Sequence, residues 1–158
     1  MNSKITFLTN KDIKIVKKPW GSEKWLADGF PEFKYALKEI FFRAPHKTSL
    51  QFHKQKEETD YFLKGKGIFH YSETIIDIKK YENGLYSNEE INKIINNLST
   101  IEIVPGTIIH VKPGGIHRVE SIEDLIMIEA STMDLDDVVR LQDDFGRPDG
   151  HIKNEHSE

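Results

Sequence analysis

From residue 33 to residue 130 the chain is built of short runs of β-branched and aromatic residues, each long enough for one strand and each stopped by turn residues. The runs are "FKYALKEIFF" at 33–42, "SLQFH" at 49–53, "DYFL" at 60–63, "GIFHY" at 67–71, "TIIDI" at 74–78, "IEIV" at 101–104, "TIIHV" at 107–111, "IHRVE" at 116–120 and "LIMIEA" at 125–130. Nine such runs joined mostly by short connections, several of them carrying glycine or proline, predict an antiparallel barrel or sandwich. No glycine pattern of a P-loop or dinucleotide-binding turn interrupts them.

Two segments read as helices. "SNEEINKIINNL" at 87–98 places Ile91, Ile94, Ile95 and Leu98 at helical spacing, behind Ser87 as N-cap and Glu89 and Glu90 in the first turn. It predicts one amphipathic helix inserted between hairpins and packed outside the barrel through its Ile and Leu stripe. "DLDDVVRLQDDFG" at 134–146 predicts a second, short C-terminal helix ending near Gly146, its acidic start favoured by the helix dipole. With no internal repeat, residues 1–147 are expected to form one domain with an insertion at about 72–100, and 148–158 a flexible tail.

Composition then removes whole classes of function. Cysteine is absent, so disulfides, thiolate nucleophiles and zinc fingers are excluded, and any metal must be held by histidine, carboxylate or amide oxygen. A net charge of −4 without a clustered basic patch argues against nucleic acid as partner and for a small-molecule substrate. The longest apolar runs, such as "LIMI" at 125–128, are far shorter than a membrane span. The amino terminus lacks a continuous apolar block and a small-residue cleavage site, so the expected compartment is the cytoplasm.

The residues with most chemistry lie in "SLQFHKQKEETDYFLKGKG" at 49–67. Strand parity puts Leu50 and Phe52 on one side and Gln51 and His53 together on the other. Glu58 reaches the same volume if the chain turns back through "KQKE", and "PGGIH" presents His117 on a new strand after a glycine turn. His46, His70 and His110 carry no such spacing and are read as structural or exposed. Trp20 and Trp25 are read as core or interface aromatics.

These two stretches resemble the two motifs of the cupin superfamily. Gln51 stands where the first motif has its first histidine, His53 matches the second, and Glu58 and Gly65 follow at the family's spacing. Gly106, Gly114 and His117 match the second motif, with Lys112 and Ser121 in place of the usual proline and asparagine. The likeness extends to the cupin domain of type II mannose-6-phosphate isomerases through "KPWGSEKW" at 18–25, the glutamine form "SLQxH" of the first motif, "GGIHRVES" and the closing "DLDDVVRLQDDFGR". The chain departs from that family in its longer 72–100 segment and at Lys56, Thr59 and Asp60.

The resemblance implies an all-β cupin double-stranded β-helix, a jelly-roll barrel, and a divalent transition metal (Zn, Mn, Fe, Ni or Co) on Gln51, His53, Glu58 and His117. It implies an aldose–ketose isomerase acting on a sugar phosphate, or an epimerase of a nucleotide-linked sugar, with Arg118 and Lys38 gripping an anionic substrate. The catalytic base is not named by the sequence. A non-haem iron dioxygenase and a non-catalytic carbohydrate-binding cupin remain alternatives, because a vacant N/O metal site serves each. A homodimer is expected through edge strands, since residues 1–25 have β character and no evident hairpin partner.

Overall fold

The structure, a computed structural model, describes residues 4–29, 32–134 and 136–151. Among these the strand-forming runs assemble into two antiparallel sheets of six strands each. The first sheet runs in the order β1 (Lys14–Lys18), β2 (Gly21–Asp28), β3 (Ala36–Phe42), β10 (Leu125–Ser131), β5 (Glu58–Lys64) and β8 (Ile108–Val111). The second runs β12 (Gly150–His151), β11 (Val139–Gln142), β4 (Leu50–Phe52), β9 (His117–Ser121), β6 (Gly67–Tyr71) and β7 (Ser99–Ile103). This is the jelly-roll architecture that the resemblance implies, one form of the antiparallel barrel or sandwich that the strand runs predict.

The inward positions of the first sheet change character along each strand. Ile40, Met127 and Phe62 form one row across β3, β10 and β5, and two residues further along the same three strands carry Lys38, Glu129 and Asp60. One half of the interior is therefore apolar, filled by Phe42, Phe62, Phe69, Ile103, Val119 and Leu125, each contributing about 1.5–3 kcal/mol of burial. The other half is lined by ionisable groups, a costly arrangement unless those groups find partners.

Outside the second sheet lies a separate apolar layer. Leu50, Phe52, Ile116, Val139 and Leu141 are covered by α1 (Ile78–Glu82) and α2 (Asn88–Ile95) through Tyr81, Tyr86, Ile91, Ile94, Ile95 and Leu98. The expected stripe thus packs where the sequence places it. Ser87 caps α2 in a full capping box, accepting from Glu90 N while the Glu90 carboxylate accepts from Ser87 N.

Four expectations need correction. "TIIDI" at 74–78 is not a strand: Asp77 instead caps α1, accepting from Lys80 N at 3.0 Å, and Ile76 is buried in the outer apolar layer. The C-terminal helix expected at 134–146 is absent among the described residues. Its "VRLQ" forms β11, because buried Val139 and the free edge of β4 satisfy more apolar surface and more backbone groups than a lone helix would. Gly150 and His151, assigned to the flexible tail, pair with β11, while 152–158 lie outside the described residues. The segment 1–25 does have a hairpin partner: β1 pairs with β2, Val16 opposite Glu23.

No helix among the described residues is long and apolar enough to cross a membrane.

Candidate metal centre

Both sheets contribute to the charged half of the interior. From the second sheet, Gln51 on β4 lies opposite His117 on β9, and His53 follows β4 on the same face as Gln51. From the first, Glu58 at the start of β5 faces them, with Asp60, Glu129, Lys38 and Glu23 alongside. Gly114 ties the two histidine segments together. Its N–H donates to His53 O at 2.8 Å and its carbonyl accepts from Ile76 N at 3.0 Å. It has φ +81, and a Cβ there would lie 2.7 Å from Ile76 O, so the turn before His117 requires glycine.

Each imidazole is oriented by its Nδ1. His117 Nδ1 donates to Gly115 O at 2.9 Å, and His53 Nδ1 donates to Asp137 O. Each ring thereby keeps its Nε2 lone pair for the interior. His117 Nε2 lies 3.4 Å from Glu58 Oε1, and His53 Nε2 lies 3.6 Å from Glu58 Oε2. His53 Nε2 is buried and has no hydrogen-bonding partner among the described residues. Ligand atoms bonded to an ion at about 2.0–2.1 Å in a tetrahedral site stand about 3.4 Å apart. The two imidazole Nε2 atoms and the carboxylate therefore fit a divalent metal, in donor type and in spacing.

Gln51, the fourth expected ligand, lines the same cavity, and its Oε1 accepts from Ser49 Oγ at 2.7 Å. Lys38 also lines it, buried, ion-paired to Glu23 at 3.0 Å and 4.6 Å above the Trp25 ring. Arg118 is not brought there. It alternates with His117 on β9, so its guanidinium leaves the opposite face, donating to Thr48 O at 2.7 and 3.0 Å and to Asp144 Oδ1 at 3.0 Å. Arg147, held by Asp143 at 2.9 and 3.1 Å, is the arginine that lines the cavity. His46, His70 and His110 lie elsewhere, against Phe145, Glu120 and Thr59.

A second cluster adjoins the histidines. Lys56 Nζ sits 2.7 Å from Glu58 Oε2 and 3.0 Å from Glu129 Oε1, all three side chains buried. Burial alone would lower the Lys56 pKa, but the Glu129 and Glu58 charges outweigh it and hold the ammonium well above its ordinary range. Burial pushes Glu58 up, yet the Lys56 ammonium beside it brings it well below the usual carboxylate range. Asp60 and Glu129 go the other way. Burial, reinforced by the Glu58 charge, raises both, Asp60 well above its ordinary value. The site holds one firmly ionised carboxylate among carboxyls driven toward neutrality, an arrangement suited to accepting and releasing protons. The open space among these side chains is about 70 Å³.

Asp137 is the supporting residue that sequence reasoning passes over, reading "DLDD" as a helix start. Its carboxylate accepts from the backbone N–H of Lys54, Gln55 and Lys56 at 2.6–2.9 Å, and its carbonyl orients His53. Burial raises its pKa, and the three N–H donors outweigh that and lower it. A depressed folded-state value stabilises the protein above the unfolded value near 3.8 and loses that stability as pH falls through the folded value. Asp137→Asn, which leaves donors facing donors, is expected to cost about 1–2 kcal/mol at neutral pH after allowing for partial solvent exposure. In urea titrations its deficit should shrink below pH 4; a deficit constant from pH 7 to pH 3 would remove the carboxylate from this role.

No family model matches the chain, and no curated protein matches it. Solved structures do. The oxalate decarboxylase of Lactobacillus farciminis superposes with TM-score 0.60 at 16% identity, over 83% of this chain and 34% of that one. The capsular polysaccharide assembling protein CapF from Staphylococcus aureus gives 0.58 at 13% identity, over 89% and 33%. Ectoine synthase from P. lautus gives 0.58 at 13%, over 81% and 78%. The chain thus spans about a third of the length of the first two. At these identities the likeness concerns architecture alone, and the architecture shared with these structures is the cupin fold.

Proposed function

We propose that the chain is a divalent-metal-dependent enzyme that moves a proton between neighbouring carbons of a small oxygen-rich substrate, with aldose–ketose isomerisation of a sugar phosphate as its reaction. The observation that carries this reading is the buried, unpartnered Nε2 of His53, aimed with His117 Nε2 at Glu58 beside carboxyls driven toward neutrality. His53, His117 and Glu58 would hold the ion, with Gln51 as a fourth, neutral donor. The metal when bound supplies a Lewis acid that favours negative charge on a substrate oxygen. Glu129, next to Lys56 Nζ, is placed to hold or release the proton, and Asp60 beside it shares that charge. Lys38 keeps its expected role and Arg147 takes that of Arg118, as the cations that would meet an anionic substrate group.

The space of about 70 Å³ admits only the reacting end of a sugar, roughly two water volumes, so the remainder would lie toward the mouth. That size favours a second reading, a small organic acid processed with oxygen by an iron-loaded site. It is also in keeping with the oxalate decarboxylase among the structural neighbours. The experiment is direct: metal-loaded protein is incubated in D2O with a panel of sugar phosphates, following deuterium at the carbon beside the carbonyl together with dissolved oxygen. Exchange without oxygen uptake is the expected result. Oxygen consumption with small acids would replace the isomerase reading, and neither signal with metal bound would leave a binding module.

A further inference from the structure

The outer faces of the two sheets differ. That of the second is covered by α1 and α2, whereas that of the first leaves large apolar side chains open to solvent. One register row crosses all six strands of the exposed face: Ile15, Lys24, Glu39, Ile128, Tyr61 and Ile108. Ile15, Tyr61 and Ile108 are 53%, 44% and 59% exposed, and Leu63 on the same face is 47% exposed. Large apolar side chains gathered on one sheet face, with a charge pair among them, mark an interaction surface rather than a solvated one.

We propose that this face is covered by the same face of a second copy of the chain, around a two-fold axis that runs parallel to the strands between β3 and β10. The area is adequate. Six strands at about 4.8 Å spacing and about six residues of length give on the order of 500 Å² per copy, about 1,000 Å² in all. The charges choose the axis. An axis across the strands would set Lys24 on Lys24 and Glu39 on Glu39. An axis along them reverses the row against itself, so that Ile15 meets Ile108 of the partner subunit, Lys24 meets the ring of the partner's Tyr61, and Glu39 stays with its own Lys24, 3.7 Å away. This arrangement differs from edge-strand pairing, which would use the outer edge of β1 rather than the face of the sheet.

The test uses the full chain. Sedimentation of the unaltered protein at tens of micromolar should give a dimer. Tyr61→Asp with Ile108→Asp should weaken it by more than about 100-fold while circular dichroism and metal content stay unchanged, because two charges would have to be desolvated in each copy. A monomeric unaltered protein, or a dimer that survives both substitutions, overturns the proposal. Because the chain has no cysteine, the axis can be read separately. Ile15→Cys and Ile108→Cys, on strands about 24 Å apart within one chain, are prepared as single variants and treated with a short bis-maleimide. Covalent dimers should form in the mixture and not from either variant alone. Ready linkage of Ile15→Cys to itself would overturn the axis.

Discussion

His53→Ala is expected to lose bound metal almost completely. The ring contributes one of three converging donors, and its Nε2 has no other buried partner. Loss of a group that merely orients a metal ligand costs about 10–100-fold in affinity, so loss of the ligand itself should exceed 100-fold. His117→Ala should behave alike, since its Nε2 stands as near to Glu58 as that of His53. Elemental analysis after dialysis against a weak chelator measures the content, and thermal melting measures the linked stability. An ion present at about 1,000 times its Kd stabilises the native state by about 4 kcal/mol, a contribution that both variants should lack. A His53→Ala protein that keeps one metal per chain would place the ion elsewhere and remove the basis of the proposed reaction.

The second large effect concerns Lys56. Its ammonium bridges two buried carboxylates, and Asp60 adds a third carboxyl to the same volume. Lys56→Met retains most of the stem and removes the charge. In chelator-treated protein it should destabilise by about 3–5 kcal/mol at neutral pH, the cost of leaving one side of a buried ion pair uncompensated. The sign of the pH dependence follows. Without the Lys56 charge the folded-state pKa values of Glu58, depressed while Lys56 is present, and of Glu129, already raised, both move up, so the native state binds more protons and the variant gains stability relative to the unaltered protein as pH falls. Adding Glu129→Gln should restore part of the loss, and urea unfolding of the four proteins closes the cycle. Additive effects would show that Lys56 and Glu129 do not interact across the 3.0 Å between them.

The histidines and Glu58 were legible because their positions depend on local rules. Parity along "SLQFH" places Gln51 and His53 on one face, and the glycine turn "PGGIH" places His117 at the head of a strand. The helix 87–98 was equally local, since its cap and its stripe lie within twelve residues. The C-terminal helix misled because "DVVRL" carries a helix-start signal and a strand signal together, and β4, nearly ninety residues away, decided between them. Arg118 misled through adjacency: the residue next to an inward ligand on a strand points outward.

The sequence by itself determined which residues could form strands, which alternate positions share a face, and which donor types could hold a metal. Only the tertiary structure decided that Glu129 and Asp60 belong to the inside, in one row with Lys38. Each sits at a strand position whose parity is fixed but whose direction is not, and a charged residue there reads most simply as solvated. Strand pairing across β3, β10 and β5 aligned the three in one row, and the facing sheet then enclosed them with Lys56 as counter-charge. Alternation is a property of one strand, whereas the side of a sheet that becomes the interior is settled by the sheet that packs against it.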